Sequence, residues 1–475
     1  MSLGLAILAA MSLFCGKESV PIEKCRVSAM PFNRVWTGEQ RDLSQTMEAY
    51  FASFEVVGRG ELKILGVPET SGAVLYPLTE GGRLQKAGSV WRLKVDAGAQ
   101  YVVEFDGLPP LHVFADRPFE YRHVENEIYF GPGEHEAGII APTNGQTVCI
   151  DRGATVHGEI FLDRVTNVVI TGRGILDCSR FERADRRAQE FRKARKLPPI
   201  DTEHACHPFV VYASDRVRIE GIVIRDTPFW ALLVRSGSTN VEIDGVKIVG
   251  QWRYNSDGID ISASSDVTVK DCFVRSFDDC AVVLGAYLDE RSCHARRIRF
   301  ENCRLWCDWG ANFKLWSPSY TNTFSEVSMR RCKFLKVCGS PFQIKDTCGS
   351  ADTRIGELSF ENIEIDTPIP PIAGVIQTSD EMKYPGDKPM DSLTLALVSC
   401  QAPKRDLGNQ KFVPVENPVG YHSAISNVVF RNIALPCQNV KLFARLETAI
   451  EGQSVSDVKF LKCPPIEIKQ KGNVK

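Results

Sequence analysis

The chain has 475 residues, 43% of them hydrophobic and 24% charged, with a formal net charge of −2. That length exceeds one ordinary domain, and the composition is that of a soluble globular protein rather than a disordered one. The near-zero charge excludes a global electrostatic pull toward nucleic acid or an anionic membrane.

The chain opens with LGLAILAAMSLFC (Leu3–Cys15), an apolar run too short to span a bilayer. It has the form of a secretory-signal core, and Cys15 stands where a bacterial lipoprotein is acylated, although no Lys or Arg precedes the run. Residues 1–24 are therefore expected to be a leader, a lipoprotein-type segment or a disordered one. Export follows, to the periplasm, the cell surface or the medium, with Cys15 as candidate lipid anchor. Residues 25–125 alternate apolar and polar positions between Gly, Pro and Asp turns, as in Gly72–Pro118, which predicts a small β-sandwich.

Residues 126–475 read differently. A short pattern recurs from Asn167 (NVVITGRGI) through Arg216, Asn240 and Asp266 to Arg297, Glu326, Glu357, Asn427 and Asp457. In each copy an alternating run is followed by a two-residue polar turn and a second run. Most copies lie 24–31 residues apart, a spacing of strand pairs without helices that predicts a right-handed parallel β-helix. Each coil is stabilised by its neighbours, because none can bury its apolar face alone. Two longer gaps hold insertions. Ser179–Leu197 carries eight basic residues against three acidic, with helical spacing, and is either a solvated excursion or a clamp for an anionic ligand. The insertions at residues 179–206 and 383–414 are long enough to wall off one end of a groove, which favours attack from a chain end.

The repeat explains much of the cysteine usage. Cys272, Cys303 and Cys332 recur at one inward position, and Cys463 holds it again in the last copy, so a stack of small buried thiols is expected, with a disulfide between coils as the alternative. No cysteine pair has zinc-site spacing with histidines, so neither metal nor cofactor is expected.

Tyr254–Gly285, YNSDGIDISASSDVTVKDCFVRSFDDCAVVLG, holds acids that packing does not explain, since each unpaired buried charge costs several kcal/mol. Stacking Ile261, Val282, Phe313 and Phe342 sets Asp257 beside Asp278 on neighbouring coils, with Asp279 adjacent and strands about 4.8 Å apart. Carboxylates crowded in this way hold one group protonated while another stays ionised, the pairing that glycosidic cleavage uses. Asn-Ser-Asp-Gly at 255–258 followed by Asp-Asp-Cys at 278–280 resembles the signature of the polygalacturonase-type family 28 of glycoside hydrolases, Asn-Thr-Asp-Gly and then Asp-Asp-Cys. The sandwich before a β-helix resembles the dextranase and isopullulanase-type family 49 as well. The resemblance implies hydrolysis with inversion, Asp278 as general acid, Asp257 and Asp279 holding the attacking water, and Asp260 lining the site.

The Gly-His-Gly and Arg-Ile-Lys motifs of the pectin enzymes are absent. Cys293-His294-Ala295 follows Asp279 closely, and the nearest basic counterpart is Lys314 in WGANFKLW, which faces outward like Asp260 and is either a substrate contact or a solvated lysine. Trp252, Arg253 and Tyr254 precede the first motif, and Trp230 and Trp316 flank it as candidate sugar platforms. Gln343 and Lys345 lie one coil further. The sequence thus predicts an inverting hydrolase with a polysaccharide or oligosaccharide partner, no nucleic acid, no membrane span and a monomeric state. A Ca²⁺-dependent polysaccharide lyase and a non-catalytic glycan-binding solenoid are the alternatives.

Overall fold

The computed structural model describes residues 11–29, 41–183, 186–197, 207–285, 293–317, 322–337, 340–346, 353–366, 392–402, 404–406, 412–415, 422–435 and 441–475. Residues 11–29 and 42–123 form one compact unit, and Arg41 with residues 124–475 forms the other.

The first unit pairs two five-stranded sheets. One runs Glu18–Val20, Ser12–Cys15, Arg59–Leu65, Val90–Asp96, Leu84–Ala87; the other runs Glu23–Ser28, Thr46–Glu55, Leu111–Asp116, Ala99–Phe105, Ala73–Tyr76. Alternate residues such as Leu13, Leu62, Ile64, Leu93, Tyr101 and Val113 meet in a single core. The expectation of a leader or disordered segment over 1–24 is corrected here from Ser12 onward. Ser12–Cys15 pairs antiparallel with Leu62–Leu65, Leu13 is buried, and half-buried Cys15 lies opposite Leu62. The described end of the Leu3–Cys15 apolar run is thus a strand of the sandwich.

The second unit is a right-handed parallel β-helix. Among the described residues 31 strands follow chain order around the coil, and all but those of the last turn also pair in parallel with a counterpart one turn later. Three ladders result. The first contains Leu232–Arg235, Ile259–Ser262, Ala281–Leu284, Phe313–Ser317 and Phe342–Asp346; the second contains Ser265–Lys270 and Cys293–Glu301; the third contains Lys247–Val249, Phe273–Ser276 and Arg304–Cys307. The residue opening each repeat (Asn167, Arg216, Asn240, Asp266, Arg297, Glu326, Glu357, Asn427 and Asp457) has φ between 52° and 57°. A second left-handed corner recurs at Asp271, Asn302, Arg331, Asn362, Asn432 and Lys462. Asn and Asp accept this conformation readily, which accounts for their density at the turns.

The interior is apolar, with Phe360, Phe430 and Phe460 stacked at centroid spacings of 4.9 Å. The thiols of Cys272, Cys303, Cys332 and Cys463 each donate to the carbonyl two residues earlier, and all four are free. Among the described residues no helix is long and apolar enough to cross a membrane. The insertion contributes one helix, Arg186–Ala194. Of residues 383–414, Ser392–Cys400 is a strand of the coil and Lys404–Asp406 pairs antiparallel with Phe412–Pro414, while 383–391, 403 and 407–411 lie outside the described residues.

Candidate active site

The aspartates lie where the chain turns from the third ladder into the first. Three successive corners stack there: Gly250–Gly258, Phe277–Cys280 and Asp308–Asn312. Gly258 N donates to Asp279 O at 2.8 Å, and Cys280 N donates to Ala311 O at 2.9 Å, so the backbone fixes their spacing. Gly258 of the Asp-Gly pair is required by close approach. A Cβ on it would lie 2.3 Å from the Cys280 carbonyl oxygen and 2.4 Å from a Val274 methyl. Gly310 is equally constrained, because a Cβ there would meet the Asp279 nitrogen at 2.6 Å.

The structure brings Asp257, Asp278 and Asp279 together, with one carboxylate oxygen from each lying within 4.8 Å of the others. All three are buried, as is Asp260. The strand register differs by one residue from the expected one. Ile261 pairs with Val283 rather than Val282, and Val282 pairs with Lys314. Val282 faces outward although it is apolar, because Phe229, Trp230 and Leu233 cover it. Hydrophobicity therefore does not mark the inner face at this strand. Asp260, Val282, Lys314 and Gln343 consequently form one outward row across four strands.

The Lys314 ammonium acts on this group of four buried carboxyls. Lys314 Nζ donates to Asp279 Oδ2 at 2.7 Å, and the Ala311 backbone N–H donates to Asp279 Oδ1 at 2.7 Å. Lys314 is held protonated well above its ordinary range: burial opposes the charge, but Asp279 and Asp278 outweigh it. Burial, then Asp278, Asp260 and Asp279, push the Asp257 carboxyl well above the carboxylate range, and Lys314 partly offsets them. Burial and then Asp279 raise Asp260 in the same way. Among the described residues neither oxygen of Asp260, nor Oδ1 of Asp257, has a hydrogen-bond partner.

This has a consequence for stability. An unfolded aspartate ionises near pH 3.9, whereas native Asp260 keeps its proton to higher pH, so stability falls as pH rises from about 4 toward the native value. Asp260→Asn keeps the shape and cannot ionise. We expect the variant to unfold at a higher temperature than wild type at pH 7, by on the order of 1–3 kcal/mol, and no such gain at pH 4. Calorimetric scans at the two pH values check this.

Three expected substrate contacts are instead part of the scaffold. The Trp252 indole N–H donates to Asp226 at 3.0 Å, and Arg253 pairs with the same carboxylate. Tyr254 is buried edge-on against Phe277 and Trp309. Arg41 donates to the Trp252 carbonyl at 2.7 Å, with its guanidinium 4.2 Å from the Phe277 centroid. These residues shape the turn that carries Asp257 rather than offering flat faces to a sugar. Trp230 is likewise buried against Phe229. His294 is exposed on the second ladder, whereas Asp260 and Lys314 lie on the first. Trp316 is half-buried beside Leu284, Lys314 lies over its ring, and Gln343 is buried next to Lys314.

Two contributors were not singled out from the sequence. Trp309 is half-buried, stacks on Phe277 at 5.5 Å and precedes Gly310 at the carboxylate corner. Arg183, from the basic insertion, donates to Asn255 Oδ1 at 2.8 Å, where Asn255 adopts φ 54°. The eight basic residues of that insertion, against three acidic, were the available signal, but nothing in it marked one arginine.

The model of the glycosyl hydrolases family 28 matches residues 143–435, more than half of the chain. A polygalacturonase of Penicillium janthinellum is 35% identical over 80 residues, 16% of this chain and 21% of that protein. Endopolygalacturonase A of Aspergillus niger is 32% identical over 78 residues, again 16% and 21%. The chain thus spans about a fifth of the length of these curated relatives. Dex49A from Penicillium minioluteum has a similar fold, with a TM-score of 0.57 at 13% identity over 91% of this chain and 89% of that one.

Proposed function

Starting from the premise that this chain belongs to the glycosyl hydrolases family 28, we propose that it hydrolyses O-glycosidic bonds of a polysaccharide or oligosaccharide with inversion, using Asp278 as general acid. Asp257 and Asp279 hold and deprotonate the attacking water, and Asp260 lines the site. The observation that carries this reading is the buried trio of carboxylates within 4.8 Å of one another, with the Lys314 ammonium on Asp279. Buried carboxyls crowded this closely do not all ionise together, so proton-bearing and ionised carboxyls coexist, as acid and base chemistry requires.

The trio is tighter than the 6.5–9.5 Å separation typical of inverting pairs. A single water still fits between Asp257 and Asp279, because two O–H···O bonds of about 2.7–2.8 Å bridge oxygens up to roughly 5.5 Å apart. Lys314 fixes Asp279 in place for that water, and half-buried Trp309 and Trp316 offer the aromatic faces that the buried tryptophans do not. The names of the relatives make polygalacturonate the first substrate to try. A polymeric glycan does not cross a membrane intact, so the reading carries with it export of the chain.

The test is a reducing-sugar screen over plant, algal and microbial polysaccharides, with NMR of the product's anomeric proton in the first minutes. Release of the inverted anomer is expected. A retained anomer would overturn the mechanism, and no release from any glycan would overturn the function.

A further inference from the structure

The outward face of the first ladder is covered on one side of the aspartates. Its outward row runs Phe161, Val210, Leu233, Asp260, Val282, Lys314, Gln343 and Leu397 on consecutive strands. From Phe161 to Val282 every member is buried, although each points away from the core of the coil. Two covers account for this. Phe191 of the Arg186–Ala194 helix and Leu197 pack on Phe161 and Val210, with the Phe161 and Phe191 rings 5.1 Å apart. Arg195 anchors the helix end to Asp163, and the Arg195 carbonyl accepts from Arg164 at 3.2 Å. Nearer the site, Phe229 and Trp230 stack at 5.1 Å and pack on Leu233, Val282 and Leu284. His207 closes edge-on against both rings at 4.8 and 5.3 Å, and Arg183 lies over Phe229 at 4.5 Å while bound to Asn255.

On the other side, the Lys314 side chain is 22% exposed, and Trp309, Trp316 and Lys345 are half-buried. One strand further, Leu397 is buried again. Among the described residues of this face, the accessible stretch is therefore confined to the strands Phe313–Ser317 and Phe342–Asp346 and the Trp309 corner beside them. Val210 lies two strands from Asp260, roughly 10 Å, and the strand between is already roofed by aromatic rings. A polymer lying along the ladder has no path past the aspartates in that direction.

We infer that the site is a blind pocket entered end-on, and that the protein removes units from one terminus of a glycan instead of cutting within it. The Arg186–Ala194 helix, Phe229 and Trp230 form its closed end, and Arg183 ties the insertion to the Asp257 turn. This rests on the hydrolase reading above and adds the mode of attack, since both internal and terminal cleavage use the same carboxylates.

The experiment is product analysis of the full chain acting on polygalacturonate, dextran and pullulan and on their oligosaccharides, labelled at either end. One product, a mono- or disaccharide, is expected from the first time point, with little loss of polymer viscosity as reducing ends accumulate. Oligosaccharides blocked at the entering terminus should lose at least a hundredfold in rate, and the labels show which terminus that is. A ladder of intermediate lengths at early times, a collapse of viscosity, or cleavage indifferent to the block would overturn the inference while leaving the hydrolase reading intact. If none of the three is cleaved, the glycan found by the wider screen takes their place, and no cleavage of any glycan would overturn both.

Discussion

Replacing Asp278 with Asn is expected to lower kcat by about 10³–10⁴-fold on a natural glycan while leaving the fold intact. The side chains are isosteric, and the local backbone bonds do not depend on the carboxyl. Asp278 O accepts from Ser276 Oγ at 2.6 Å and from Cys307 Sγ at 3.4 Å, and both contacts remain in the variant. An amide has no proton to give a departing sugar oxygen, so the step that needs the acid is lost. Losing one of four crowded carboxyls also relieves Asp257, whose proton is held partly by Asp278. The variant should therefore melt no lower than wild type. A glycoside with an acidic leaving group, such as an aryl glycoside, needs no proton and should lose far less rate. If the natural glycan and the aryl glycoside suffer equally, Asp278 is not the acid; if neither suffers, the assignment fails altogether.

The solenoid was legible because its physics is local and periodic. Left-handed corners at Asn240, Asp266 and Asn302 select short polar residues, and the inward positions at Val241, Val267 and Cys303 select small or branched apolar ones. The acid cluster was legible for the same reason, since a coil of known period places Asp257 next to Asp278 and Asp279 without knowledge of any side-chain contact. What could not be read depends on chain segments distant in sequence. Val282 looks inward until Trp230 is seen above it, and Trp252 looks like a sugar platform until its indole N–H is seen donating to Asp226. Arg183 reaches Asn255 across 72 positions of sequence, which no local pattern encodes. Ser12–Cys15 failed in the opposite sense, because four alternating residues of a strand sit inside an apolar run that satisfies a leader equally well.

The two outer-face covers share a logic with the carboxylates beneath them. A carboxyl that must hold a proton near neutral pH needs low polarity around it, and the roof of Phe229 and Trp230, packed on Leu233 and Val282 of the strands that flank Asp260, supplies that. The same roof closes the pocket. Tuning of the acids and restriction of the substrate path are thus one structural feature, and loosening the roof should alter both.

Lys314→Met is expected to lower kcat by about a hundredfold near neutral pH and to move the acid limb of the pH–rate profile upward. The sign follows from the charges. Lys314 lowers the pKa of Asp257 and of Asp260, both already raised by burial and by neighbouring acids. Removing the ammonium raises them further, so the base is ionised only at higher pH, and the lost rate is partly recovered there. Lys314 itself stays protonated well beyond its ordinary range and so does not set the alkaline limb. The variant also strands the Asp279 carboxylate in a buried site, which costs about 3–5 kcal/mol when a paired partner is removed. Lys314→Arg restores the charge with a different geometry, and should return the acid limb toward wild type while recovering only part of kcat. A lysine serving instead to read a uronate carboxylate would behave otherwise: KM for polygalacturonate would rise in the Met variant, with the limb unmoved. That pattern would reassign Lys314 from the acids of the protein to the acids of the substrate.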